Sequence, residues 1–169
     1  MSIHDTTRPG VSGAHTTDGI PRGSTSLTPF LAVEGASAAI EFYRSVLGAR
    51  VVDVTELGGV VVHAELDLGH GKLQLGEPSP TFGLVAGPAG DLACYSLGLY
   101  CADVDAVVSR AVAAGATVRE PVSTFVSGDR YASIRDPFGV RWTIMSRVED
   151  LSEAESAERV AAWAASQGS

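Results

Sequence analysis

Hydrophobic and polar positions in this chain switch between two periods, and the switch occurs twice. Residues 27–77 alternate as a strand, take up helical spacing over 36–47, turn at Gly48 and return to strand alternation. In that helix Ala39, Ile40, Tyr43, Val46 and Leu47 form one stripe, and Gly48 is a left-handed stop. Strands follow at 50–54, 60–68 and 72–75, divided by the hairpin signal Gly58-Gly59 and the turn Gly69-His70-Gly71. Residues 95–147 repeat the series: a strand at 96–101, a helix at 104–114 stopped by Gly115, then Thr117-Val118-Arg119. A loop to Gly128 leads to strands at 130–135 and 140–145 on either side of Asp136-Pro137-Phe138-Gly139. Leu31 corresponds to Leu99, Val33 to Cys101 and Gly48 to Gly115, at offsets of 67 to 68. The pattern predicts an α+β fold of two tandem βαβββ units. Each small sheet would leave one concave face, and a ligand site between those faces is the first functional expectation.

The units fall within a domain over 25–148: unit one 27–77, a linker 78–94 and unit two 95–147. The linker is rich in Gly and Pro and reads as an inert connection, with a mobile lid as the other option. Residues 1–24 are rich in Thr, Ser, Gly and Pro without a hydrophobic period, so a disordered tail is expected. Residues 149–169 predict a helix over about 149–165 and a short tail. Ser152 and Glu155 can form a capping box there, and Leu151, Ala154, Val160 and Trp163 mark an apolar face. That face could pack on its own chain or on a partner subunit.

Composition narrows the function classes. A net charge of −8, from 12 basic against 20 acidic residues, argues against nucleic acid and against an anionic membrane surface. Hydrophobic content of 45% with 19% charged residues describes a packed domain. Cys94 and Cys101 form no disulfide framework. No apolar stretch is long enough to span a membrane, and the first residues lack the pattern of a secretory signal. A cytoplasmic protein is expected.

Strand parity assigns faces. In 60–68 the even positions Val60, Val62, Ala64, Leu66 and Leu68 are expected under the helices, and Val61, His63, Glu65 and Asp67 on the opposite face. Gln74 joins that second face, as do Thr28 and Phe30. In unit two Ser96, Tyr100, Tyr131, Ser133, Arg135, Arg141 and Thr143 are expected there. Phe30, Tyr100 and Tyr131 would be apolar ligand contacts; His63, Gln74, Ser133 and Arg135 would be polar ones. His63 and Glu65, two apart on one face, could also start a metal site or an oriented general base. They are the only catalytic candidates. Arg135 could grip an anion or brace Asp67 or Glu65.

The repeat, the helix ending Ile40-Glu41-Phe42-Tyr43…Leu47-Gly48 and the segment Gly128-Asp129-Arg130…Arg135-Asp136-Pro137-Phe138-Gly139…Trp142 resemble the vicinal oxygen chelate superfamily. That group includes glyoxalase I, extradiol dioxygenases and bleomycin-resistance proteins. The resemblance implies an open eight-stranded mixed sheet around a cavity, usually completed within a homodimer. It also implies, in the enzymes, one divalent metal held by His, Glu or Gln. The matching positions here are Thr28, Gln74, Ser96 and Thr143, a set too poor in metal donors for that role. The expectation is therefore a binding or sequestering protein for a small organic ligand, with no metal and no other cofactor. The alternative is a metal-dependent lyase, isomerase or dioxygenase with its metal shifted to His63 and Glu65.

Overall fold

The structure, a computed structural model, describes residues 9–168. A hairpin of β1 (Thr16–Thr17) and β2 (Ile20–Pro21) comes first. Unit one follows as β3 (Phe30–Ala32), α1 (Ala36–Val46), β4 (Arg50–Leu57), β5 (Val60–Asp67) and β6 (Lys72–Gly76). Unit two is β7 (Ser96–Tyr100), α2 (Val104–Ala113), β8 (Thr117–Thr124), β9 (Asp129–Arg135) and β10 (Arg141–Arg147), and α3 (Glu153–Gln167) closes the chain. The eight strands of the units divide into two mixed sheets with the same internal order, β3-β6-β5-β4 and β7-β10-β9-β8. In each sheet the first strand lies parallel to the last, and the remaining pairs are antiparallel. The internal repeat read from the sequence is thus a repeat of topology. Among the described residues no helix is long and apolar enough to cross a membrane.

The helix of each unit, α1 or α2, is tied at its start to the last strand of that unit. The N–H groups of Gly35 and Ala36 donate to Glu77 Oε2 (3.2 Å) and Oε1 (2.7 Å), just past β6. A carboxylate there satisfies orphan donors and complements the helix dipole. In α2 the N–H of Ala106 donates to the cap Asp103 (3.0 Å), while that of Val104 donates to Ser146 Oγ (3.1 Å) on β10. The buried face of α1 is Ala36, Ala39, Phe42, Tyr43 and Val46; Ile40 and Leu47 pack at its margin. One apolar core runs through both units.

A single buried carboxylate joins the units. Asp136 is 4% exposed and begins the turn between β9 and β10. Its Oδ1 accepts from the backbone N–H groups of Phe138 and Val140, both at 2.9 Å. Its Oδ2 accepts from Tyr43 Oη (2.7 Å) in unit one and from Trp142 Nε1 (2.9 Å) in unit two. Tyr43, Phe42, Trp142 and Phe138 pack around it edge to face at centroid distances of 5.5–6.3 Å. Burial first, and then the neighbouring Asp136 charge, push the Tyr43 hydroxyl well above its ordinary pKa.

The structure corrects four sequence expectations. Residues 9–24 of the expected disordered tail carry the β1–β2 hairpin, while residues 1–8 of that tail lie outside the described residues. The turn is Asp18-Gly19, with φ of 49° and 82°, the pair of left-handed residues that a type I′ two-residue hairpin requires. On β5 the parity fails before His63: Val61 is 2% exposed and Val62 is 39% exposed. A register shift between Thr55 and Glu56 skips Val62 in the pairing, so Val61 and Ala64 share the helix side. In unit two the expected loop after Arg119 is instead strand as far as Thr124, and Pro121 sits within a register shift of this edge strand, where a missing N–H is tolerated. The last helix starts later than expected, at Glu153, because the Ser152–Glu155 capping box is its actual N-terminus.

Tyr43→Phe should cost about 2 kcal/mol in urea denaturation, the scale of a hydrogen bond to a charged group. Asp136→Ala should cost about 4 kcal/mol or more, since it strands several buried donors. Tyr43 holds its proton more tightly folded than unfolded. Its stabilising contribution is complete below pH 10.0 and falls as pH rises through the folded value. Tyr43→Phe should therefore flatten the alkaline loss of stability.

Candidate functional site

Helices cover one side of each sheet, and the other side carries the candidate chemistry. On sheet one the ladder aligns Phe30 with Gln74, Gln74 with Glu65, and Glu65 with Asp53. His63, Glu65 and Asp67 keep the open face predicted for them because the β5 irregularity lies upstream. Glu65 Oε1 accepts from Lys72 Nζ at 2.6 Å and Oε2 from Gln74 Nε2 at 3.2 Å. The Lys72 bond, then the Gln74 bond, hold the Glu65 carboxyl below the usual range. Asp67 accepts from the Gly69 N–H (2.8 Å) and from Arg50 (2.6 Å), in that order of effect on its lowered pKa. The His63 ring lies 6.2 Å from that of Phe30, tilted by 33°.

On sheet two the register stacks Gly98, Thr143 and Ser133 in one row, and Tyr100, Met145 and Tyr131 in the next. Ser133 is buried, and its Oγ accepts from Arg141 Nε (2.8 Å); Arg141 also reaches Glu120 (3.3 Å). Ser96 and Thr143 hydroxyls lie 3.3 Å apart. At the other end Asp129 accepts from Arg147 Nε (2.8 Å), Ser127 Oγ (2.8 Å) and Tyr100 Oη (3.2 Å). Tyr100 remains 57% exposed. Two depressions open on this face. One of about 270 Å³ is lined by Tyr95, Ser96, Glu120, Ser133, Arg141 and Thr143, among others. The other, of about 400 Å³, is lined by Phe125, Tyr131, Thr143, Met145 and Trp163 together with Ser127 and Asp129. A separate cleft of about 430 Å³ lies between the units, with Leu27, Pro29 and Lys72 on one side and Leu97, Gly98 and Tyr100 on the other.

The candidates therefore fall into separate groups. Phe30, His63, Gln74 and Glu65 come together on sheet one; Tyr100, Tyr131 and Ser133 lie on sheet two. Arg135 stands apart from both. Its guanidinium donates to the backbone oxygens of Pro88 (2.8 Å) and Gly139 (3.3 Å), fastening the linker to the β9–β10 turn. It does not brace Asp67 or Glu65; Arg50 and Lys72 do. Lys72, Asp129 and Met145 were missed by the sequence reading, although parity carried one step further along each strand reaches all three. Trp163 had no strand signal to find it.

The positions that resemble metal ligands do not suit a metal. Thr28 and Gln74 belong to unit one and Ser96 and Thr143 to unit two, and the set offers three neutral hydroxyls and one amide. The Gln74 amide nitrogen is bonded to Glu65, and the Thr28 hydroxyl lies 3.3 Å from that of Thr25. Among the described residues, no three His, Cys, Asp or Glu side chains gather where they could hold an ion.

Comparison with known proteins agrees with this architecture. An uncharacterized protein of Mycobacterium bovis is 32% identical over 143 residues, covering 77% of this chain and 88% of the relative. An uncharacterized Mycobacterium tuberculosis protein matches at the same identity over 79% of its length. Among solved structures, TioX from Micromonospora sp. ML1 superposes with a TM-score of 0.57 at 24% identity, covering 76% of this chain and all of that one. Lactoylglutathione lyase from Agrobacterium tumefaciens superposes with a TM-score of 0.53 at 23% identity, over 74% and 95% of the two chains. At such identities these structures share the fold. Residues 24–144 match the family directly, and the chain belongs to the Glyoxalase/Bleomycin resistance protein/Dioxygenase superfamily.

Proposed function

We propose that this protein binds and sequesters a small organic molecule on the open faces of its sheets, without a metal ion. The observation that carries the proposal is the exposed aromatic surface of sheet two. Tyr100 stands in a row with Met145 and Tyr131 beside an apolar depression, where a sheet face that merely met water would favour polar residues. On sheet one Phe30, His63 and Gln74 would add an aromatic ring and polar groups to orient the ligand. The donor-poor set Thr28, Gln74, Ser96 and Thr143 supports a role that needs no Lewis acid. The name of the family includes bleomycin-resistance proteins, which fits a binding role. Sequestration requires only shape and a few fixed polar groups.

The second reading is enzymatic, and the lactoylglutathione lyase among the similar folds favours keeping it. A lyase, isomerase or dioxygenase would need its metal at His63 and Glu65, yet Lys72 and Gln74 already occupy both Glu65 oxygens. A cytoplasmic homodimer belongs to the main proposal. The exposed Val52, Val54, Leu57, Val60 and Val62 on the β4–β5 hairpin offer apolar area to a second copy.

Elemental analysis of untagged protein should find no stoichiometric divalent metal, and EDTA should leave Tm unchanged, while a ligand from a thermal-shift screen raises it. Near one metal per chain, lost together with activity in His63→Ala, would establish the enzymatic reading instead. Lys72→Met should raise the Glu65 pKa toward 4.5 in a carboxyl NMR titration, because the group that lowers it most is gone. Sedimentation should give twice the 17.4 kDa chain mass.

A further inference from the structure

The C-terminal helix lies beyond the family match, which ends at residue 144, and it alters the open face of unit two. None of the residues of α3 is buried, so the helix rests lightly on the body. Ser156 Oγ donates to the Ser127 oxygen (2.9 Å), the turn at Gly128 leaves room for Leu151, and the Trp163 ring meets Phe125 at 4.9 Å and 80°. Phe125 in turn meets Tyr131 at 6.4 Å and 84°. The indole therefore stands beside the row of Tyr131 and Met145 and lines the depression of about 400 Å³. A tryptophan whose only role was to fasten the helix would be covered by what it fastens, yet Trp163 is 42% exposed.

We infer that α3 makes Trp163 a wall of a binding site for a flat, uncharged aromatic group on the open face of unit two. The inference rests on the binding role proposed above and names the ligand class for that face. Three rings and the Met145 thioether offer stacking and sulfur–aromatic contacts and little else. The charge nearest the depression is already spent, because Asp129 is held by Arg147, Ser127 and Tyr100. Thr143 is similarly engaged with Ser96. A charged ligand would lose its hydration there without gaining a partner. The space exceeds the roughly 150 Å³ that accommodates benzene, so about two fused rings fit.

The test uses the full chain and a pair of dyes, neutral 1-N-phenylnaphthylamine and its anionic relative 8-anilinonaphthalene-1-sulfonate, titrated by dye fluorescence. The neutral dye should bind once per chain and at least about tenfold tighter than the anionic one. Trp163→Ala should weaken it about tenfold or more, and Trp163→Phe should stay within about threefold of the parent. Leu27→Asp, at the exposed rim of the cleft between the units, should bind as the parent does. Circular dichroism of each variant checks that the fold persists, which the position of Trp163 outside the core favours. Unchanged affinity in Trp163→Ala overturns the inference, as does equal loss in Trp163→Ala and Trp163→Phe, or dye released by Leu27→Asp instead. No saturable binding of the neutral dye also overturns it. A ligand found by thermal shift and weakened by Phe30→Ala would still sustain the binding role in those cases. Failure of the dye and of the screen together would end both.

Discussion

Burying a carboxylate is tolerable only if its acceptor positions are filled, and Asp136 fills them with groups from three directions. Two backbone N–H groups close the β9–β10 turn, the Trp142 indole fixes the strand that leaves it, and the Tyr43 hydroxyl comes from the helix of the other unit. Moving any of these leaves a desolvated polar group behind. The turn, the register of β9 against β10 and the docking of α1 are therefore set together. The open-face positions of Ser133, Arg141 and Thr143 follow from that register, although none of them touches Asp136.

The duplicated topology has a further consequence. A four-stranded sheet with a helix on one side must turn its other side outward, so the repeat produces two open faces of unlike chemistry. The face of unit one is held by ion pairs, Lys72 with Glu65 and Arg50 with Asp67. That of unit two is aromatic at one end and hydroxyl-rich with a paired arginine at the other. The helices are also stitched to the sheets differently, by Glu77 in one unit and by Asp103 and Ser146 in the other. Both solutions satisfy the same need, since the first N–H groups of a helix have no partner within it. The repeat conserves the geometry while leaving the side chains free to differ.

Period and punctuation in the sequence determined the two βαβββ units, their glycine stops, the capping box of α3 and the open-face placement of His63, Glu65 and Gln74. These features are local, because periodicity, turn chemistry and capping act over a few residues. The Asp18-Gly19 hairpin was legible on the same terms, and composition hid it. Tertiary structure alone decided the rest. Which residue on β4 faces which on β5 depends on pairing between strands, and a bulge there moved Val61 to the core and Val62 to the surface. The partners of Glu65 and of Arg135 depend on where a neighbouring strand and a linker carbonyl lie. Tyr43 meets Asp136 across 93 residues of chain, and Trp163 meets Phe125 only because α3 folds back on its own sheet. A single sequence carries no record of such distant encounters, since each is settled by the packing of whole elements rather than by the residues beside it.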